Sequence, residues 1–350
     1  MSFLLTKPSL TSLLFTALAF NAVAGDTVSP VVDISPYIVN GSNANVSDYP
    51  SFVSLFYDAI EYNNLYSTSP YCGGTLLNEQ YVLTAAHCIY NNDDAQLLTM
   101  VVPGLQNESD YLSAQKQRVV EIYHPSNYDN RISQLLANDI AILKLESAIS
   151  VGTAIVQPLT QSYRSTQSVF TTVGHGDTRS YYNAYDRLQK VNLTWVDNAT
   201  CAGAFSDGSQ LTDKQVCFTG DYSAVTDLLA GTCQGDSGGP IYWDNNGVQT
   251  QVGITSFGPV PCGDTNRDVT AVFTEIADYS DWITRVLNGQ ETPNYTSTDS
   301  ARKEYLIGQG YTINAASSGS SSSGSSGGGA LSWIGLMLLS VFGWQRRGRR

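Results

Sequence analysis

The chain reads as an all-β fold across residues 38–288, and three features of its sequence carry that reading. Short β-branched or aromatic runs recur between turn signals at 52–57, 81–85, 117–123, 140–145, 170–173, 248–257 and 269–274, the pattern of a sandwich or barrel. Charged residues make up only 14% of the chain, while Gly, Ser, Thr, Asn and Tyr are plentiful, a mixture suited to strands and turns. A helix is expected over 276–287, where Ile276, Tyr279, Ile283 and Leu287 fall at helical intervals and Asn288-Gly289 supplies a stop. With 350 residues, 42% of them apolar, the chain can bury a sizeable core, and 38–290 is its folded body. No internal repeat, phosphate-binding glycine loop or zinc-ligand cluster stands out.

The two ends read as addresses. Residues 1–24 have the form of a secretory signal: Lys7, an apolar run over 10–20, then Ala22-Val23-Ala24 before Gly25. The run is short for an anchor and ends in a cleavable small-x-small site, so signal peptidase is an expected partner. The six cysteines then fit three disulfides in an oxidising compartment, although spacing alone selects no pairing. Residues 291–329 are assigned to a linker, Ser/Gly-dominated from 315 onward. Residues 330–350 close the chain with an apolar segment over 330–344 followed by Gln-Arg-Arg-Gly-Arg-Arg. Such a segment spans about 22 Å as a helix, short of a hydrocarbon core of about 30 Å. Trp333 and Trp344 suit the interfaces, and the arginines hold the end on the cytoplasmic side. This tail resembles the GlyGly-CTERM sorting tail of proteins exported by Gram-negative bacteria. The resemblance implies transient inner-membrane anchoring, removal by a rhomboid-type protease, and a secreted or cell-surface product.

Charge excludes some partners. The net charge is −13, and removing Lys7, Arg346, Arg347, Arg349 and Arg350 with the terminal segments takes it to −18. Loss of Asp26 and Asp33 with residues 25–37 leaves −16. An acidic surface of this kind argues against nucleic acid or an anionic membrane surface as partner, and solvation is its ordinary role.

The chemistry lies in three ordered motifs: Leu83-Thr84-Ala85-Ala86-His87-Cys88, then Asn138-Asp139-Ile140-Ala141-Ile142-Leu143, then Gly235-Asp236-Ser237-Gly238-Gly239-Pro240. A serine hydroxyl is a poor nucleophile at neutral pH and needs a neutral imidazole to take its proton. Ser237 is the candidate nucleophile, His87 the base, and Asp139 the carboxylate that orients and compensates the imidazolium. An unpaired carboxylate at the mouth of an apolar strand would be costly, which favours this role for Asp139. The Gly-x-Ser-x-Gly match to α/β-hydrolases fails on order: those place the histidine after the serine, whereas His87, His124 and His175 all precede Ser237.

On these motifs residues 38–287 resemble the chymotrypsin/trypsin-like serine endopeptidases. The resemblance implies two six-stranded antiparallel β-barrels with a C-terminal helix, the active site between them, and protein or peptide substrates cleaved by a monomer without metal or cofactor. It implies the disulfides Cys72–Cys88, Cys201–Cys217 and Cys233–Cys262, and an oxyanion hole from the N–H groups of Gly235 and Ser237. Ile38-Val39-Asn40-Gly41 matches the family's mature N-terminus, so cleavage after Tyr37 would release a 25–37 propeptide and free an ammonium to pair with Asp236. Tyr37 replaces the usual Lys or Arg there, which points to an activating protease that prefers aromatic residues, this enzyme included. The primary pocket maps to Gly231, Thr232, Ser256, Phe257, Gly258 and Ala271. With no acid at Gly231, an apolar or aromatic side chain is expected before the scissile bond, unless Asp264 or Asp268 of the lengthened 263–268 loop turns inward to select Arg or Lys. Phe257 replaces a usual tryptophan, the 58–70 stretch is lengthened on the leaving-group side, and Glu108 and Asp110 lack persuasive calcium spacing. His124 and His175 are given no catalytic role.

Overall fold

Six strands in the first half of the chain close into a barrel: β1 (Phe52–Ala59), β2 (Cys72–Leu76), β3 (Tyr81–Thr84), β4 (Thr99–Pro103), β5 (Gln117–Tyr123) and β6 (Ala141–Leu145). They pair antiparallel in the order β5-β4-β1-β2-β3-β6, and β5 pairs with β6 to complete the circuit. A second barrel follows from β7 (Phe170–Gly174), β8 (Gln189–Val196), β9 (Gln215–Thr219), β10 (Pro240–Asn245), β11 (Val248–Phe257) and β12 (Ala271–Glu275). Its order is β8-β9-β12-β11-β10-β7, closed by β7 on β8. Closure leaves neither sheet a free edge along the barrel wall. The computed structural model describes residues 38–314, apart from 159, 166 and 183–185. The expected signal segment, the 25–37 propeptide and the 315–350 tail lie outside the described residues. Among the described residues no helix is long and apolar enough to cross a membrane.

Each barrel is filled by the inward half of its strands. In the first, Val53, Leu55, Val82, Leu83, Val101, Ile122, Ile142 and Leu143 pack together. In the second, Phe218 meets Phe170 and Phe273 edge-on at 4.8 and 5.3 Å, beside Ile241 and Val252. Each such side chain contributes about 1.5–3 kcal/mol by leaving water. β8 shows the alternation plainly: Val191 and Leu193 are buried while Asn192 and Thr194 are exposed.

Three helices matter to the site. α1 (Asp93–Leu98) is capped by Asn92, whose carboxamide oxygen accepts from Ala95 N. A tight turn over Ile276–Tyr279 leads into α2 (Ser280–Leu287), which buries Ile283 and Val286 on the first barrel's core and stops at Gly289, φ 67°. The remaining helix falls where a linker was expected. Residues 291–314 do not form a tether: β13 (Tyr295–Thr296) pairs antiparallel with β5, and α3 (Asp299–Gly308) buries Arg302 and Leu306 on the first barrel. Thr298 caps α3 and Asp299 sits in its first turn, signals the sequence carries in plain form.

Candidate active site

His87, the candidate base, is held at a short turn between barrel strands. Ala86–Cys88 form one 3₁₀ turn just after β3, with Ala86 buried and Cys88 bonded to Cys72 of β2. Asp139, fully buried just before β6, grips this turn twice: Oδ1 accepts from the His87 backbone N–H at 2.8 Å and Oδ2 accepts from Nδ1–H at 2.7 Å. The carboxylate therefore fixes the tautomer and leaves Nε2 as the acceptor. Burial alone would lower the His87 pKa, but the charge and hydrogen bond of Asp139 outweigh it, and the pKa stands above the ordinary 6.5.

Two further groups hold Asp139. Ser256 Oγ donates to Oδ2 at 2.5 Å, and Thr274 Oγ1 donates to the Asp139 carbonyl at 2.7 Å. Ser256 is thus not a pocket wall by its side chain; its hydroxyl is given to the triad carboxylate. The register between β11 and β12 shifts between Thr255 and Phe257, so Ser256 sits on a bulge that turns its side chain towards Asp139. Thr274 escaped the sequence reading altogether, because its β-branched side chain looked like any other strand residue.

Ser237 lies in a loop that only glycine permits. Gly235 and Gly238 have φ of 98° and 76°, and a Cβ on Gly235 would stand 2.9 Å from Gly176 Cα. The Ser237 carbonyl accepts from Gly73 N at 2.7 Å, which ties the nucleophile loop of the second barrel to β2 of the first. Among the described residues the N–H groups of Gly235 and Ser237 have no backbone acceptor.

Asp236 is buried in the opposite direction. Oδ1 accepts from Gly176 N and Oδ2 from Cys233 N, each at 2.9 Å, and no cation of the described residues reaches it. A Cβ at Gly174 or Gly176 would collide with its carboxylate. Burial pushes its pKa up to about 7 despite the two backbone donors, with nearby Asp177 adding to the rise. Ile38 and Val39 are buried beside these loops: the Val39 carbonyl accepts from Gly231 N at 3.2 Å, and Asn40 Nδ2 donates to the Leu228 carbonyl at 2.8 Å.

The pocket residues divide. Gly231 and Gly258 both face Thr270: a Cβ on Gly231 would lie 2.7 Å from Thr270 Cβ, and one on Gly258 would lie 2.8 Å from its carbonyl. Thr270 is 1% exposed and its buried Oγ1 has no hydrogen-bond partner among the described residues. Ala271 instead packs in the second barrel's core with Phe218 and Ile38, while Thr232 is simply buried. Phe257 stands edge-on to Phe205 at 5.5 Å. Asp264 is turned onto Asn266 and Arg267 of its own loop, and Asp268 is exposed.

The three disulfides pair as the resemblance implied. Cys72, His87 and Cys88 lie close enough to look like metal ligands, but the two sulfurs are bonded to each other and offer no thiolate. His124 stacks edge-on with Tyr90, and buried His175 has Nε2 3.3 Å from the Leu105 carbonyl, so neither approaches the triad's hydrogen bonds.

The trypsin family model matches residues 38–283. The chain is 32% identical over 270 residues to chymotrypsin-like elastase family member 1 of Canis lupus familiaris, covering 75% of this chain and 97% of that relative. The Bos taurus protein of the same name is 31% identical, over 79% and 97% of the two chains. Among solved structures, the secreted serine protease VesC from Vibrio cholerae superposes with a TM-score of 0.56 at 27% identity, covering 70% of this chain. This chain spans about half of VesC, 48% of its length. Mouse neuropsin shares the fold, with a TM-score of 0.58 at 23% identity over 71% of this chain and 100% of that one.

Proposed function

The chain belongs to the trypsin family of serine endopeptidases, and on that footing we propose that it is an exported zymogen, activated by cleavage after Tyr37, that cuts behind apolar or aromatic side chains. Hydrolysis follows from the site. His87 takes the Ser237 proton as Oγ attacks the carbonyl, Asp139 and Ser256 steady the imidazolium, and the N–H groups of Gly235 and Ser237 receive the oxyanion. His87 then protonates the departing amine, and water releases the acyl group by the reverse path.

The observation that carries the zymogen reading is Asp236. A buried carboxylate with two N–H partners and no cation, beside the buried Ile38-Val39 segment, is built for an ammonium that cleavage before Ile38 would create. Because the Val39 carbonyl holds Gly231 and Asp236 adjoins Ser237, that ion pair would order pocket and oxyanion hole together.

For specificity, small Gly231 and Gly258, the hydroxyl of Thr270 and the outward Asp264 and Asp268 favour an uncharged side chain. Three disulfides and the secreted character of VesC support export. Signal peptidase, sorting of the C-terminal tail by a rhomboid-type protease in a Gram-negative cell, and a monomeric product complete the reading. A cleavage profile on a mixed peptide library, with protein matured at Ile38 and its Ser237→Ala control, tests it. Serine-dependent cuts after Tyr, Phe or Leu are expected; cuts after Arg or Lys would overturn the pocket assignment.

A further inference from the structure

Residues 292–314 lie beyond the stretch matched to the family, and they build a cleft that the triad does not use. α3 is tied to α1 and to the lengthened 58–70 stretch. Tyr305 Oη donates to Asp94 Oδ1 at 2.9 Å, Tyr62 Oη to Asp299 Oδ1 at 2.7 Å, and Asn314 N to the Tyr62 carbonyl at 2.6 Å. Buried Arg302 locks the helix down, giving Nε to the Leu97 carbonyl and Nη2 to the Val119 carbonyl, both at 2.9 Å. Between these parts opens a small cleft, partly open to solvent. Tyr57, Leu65 and Tyr66 of the first barrel line it together with Tyr305, Gln309 and Tyr311 of the extension.

A chain of contacts connects the cleft to the catalytic apparatus. Tyr57 stacks on Tyr71 at 4.2 Å and 8°. Tyr71 adjoins Cys72, which is bonded to Cys88, the neighbour of His87. The next residue of β2, Gly73, hydrogen-bonds the Ser237 carbonyl. Chemistry decides which half of a substrate comes this way. The acyl half is held by second-barrel loops around 231–237 and 256–258, whereas the departing amine must pass His87, which protonates it, on the first-barrel side. The two carboxylates at the cleft are already engaged, Asp94 by Tyr305 and Asp58 by Tyr111 and Ile60 N, so the lining offers tyrosine faces rather than free charge.

We propose that this cleft is a leaving-side subsite, completed by the C-terminal extension, that takes an aromatic side chain from the departing segment of a peptide. The rings of Tyr57 and Tyr66 are each stacked on one side, on Tyr71 and Tyr111, and with Tyr305 and Tyr311 they suit offset or edge-on stacking of such a side chain. The inference rests on the endopeptidase reading.

The test uses mature enzyme and peptides identical up to the scissile bond, with Phe or Gly placed at each of the first three leaving-side positions. At one position Phe should raise kcat/KM about tenfold over Gly. Tyr311→Ala should erase that ratio, and Gln309→Trp, which fills the cleft, should reduce it should the alanine variant fail to fold. Ile307→Ser, on the exposed face of the same helix, should keep it. Equal rates for Phe and Gly at all three positions, or a ratio unchanged in a folded Tyr311→Ala, would overturn the subsite while leaving the protease standing. Absence of any Ser237-dependent cleavage would instead remove the endopeptidase reading and the subsite with it.

Discussion

Asp139 and Asp236 are buried carboxylates on either side of the nucleophile, and their surroundings differ in kind. Asp139 is met by an imidazole N–H, a backbone N–H and a serine hydroxyl, all supplied by the folded chain. Asp236 is met by two backbone N–H groups alone, and burial drives its pKa up to about 7. The half of the site that moves protons is therefore complete as folded, while the half that shapes the oxyanion hole lacks a cation. On the proposed activation, control of this protein acts on the second half.

Ser237→Ala breaks both halves at once and should cost about 10⁶ in kcat, read from hydrolysis of a single peptide. Asp139→Asn breaks only the first: turnover should fall about 10⁴-fold with the N-terminus still correctly processed by an added protease. Asp236→Asn breaks only the second, and should lower kcat about 10²–10³-fold by disordering an oxyanion donor. Ser256→Ala sharpens the first half by removing one of its props, at about tenfold in kcat.

Titration separates the halves further. His87 must be neutral to act, and its pKa is raised, so the acid limb of kcat/KM should lie above pH 6.5. Asp236 works through stability. Its folded pKa of about 7 exceeds the ordinary 3.8, so it favours the uncleaved fold at low pH, and that contribution fades as pH rises towards 7. Asp177, raised to about 6, acts in the same direction. The Asp236 effect is on the order of 4 kcal/mol, and an ammonium at Ile38 would cancel it. Mature protein should therefore exceed the uncleaved Ser237→Ala form in Tm at pH 8, with the gap narrowing at pH 5.

The same contrast explains what was legible in the sequence. Ser237, His87 and Asp139 sit in dense local motifs, and the two barrels followed from resemblance on those motifs. Seven strands announced themselves by β-branched runs, but β2 reads Cys-Gly-Gly-Thr-Leu and β10 begins with a proline, so tertiary pairing rather than propensity makes them strands. A Cβ at Gly74 would stand 2.9 Å from the Leu83 carbonyl, which is why that poor strand former is needed there. Thr274 bonds the Asp139 carbonyl and Thr270 leaves no room for a Cβ on Gly231, relations between distant residues that no local pattern displays. The 291–314 extension was hidden by the Ser/Gly tract that follows it, although the Thr298 cap and the Asp299–Arg302 pair were there to be read.

The most direct test of the link between Ile38 and Asp236 compares two chains that differ by one residue. One begins at Ile38 and the other retains Tyr37, and both are assayed on the same peptide. The extra residue should lower kcat/KM about 10²–10³-fold, because its ammonium cannot reach the buried carboxylate and an oxyanion donor is lost. Equal rates would contradict the account and leave Asp236 with no part in switching the site on.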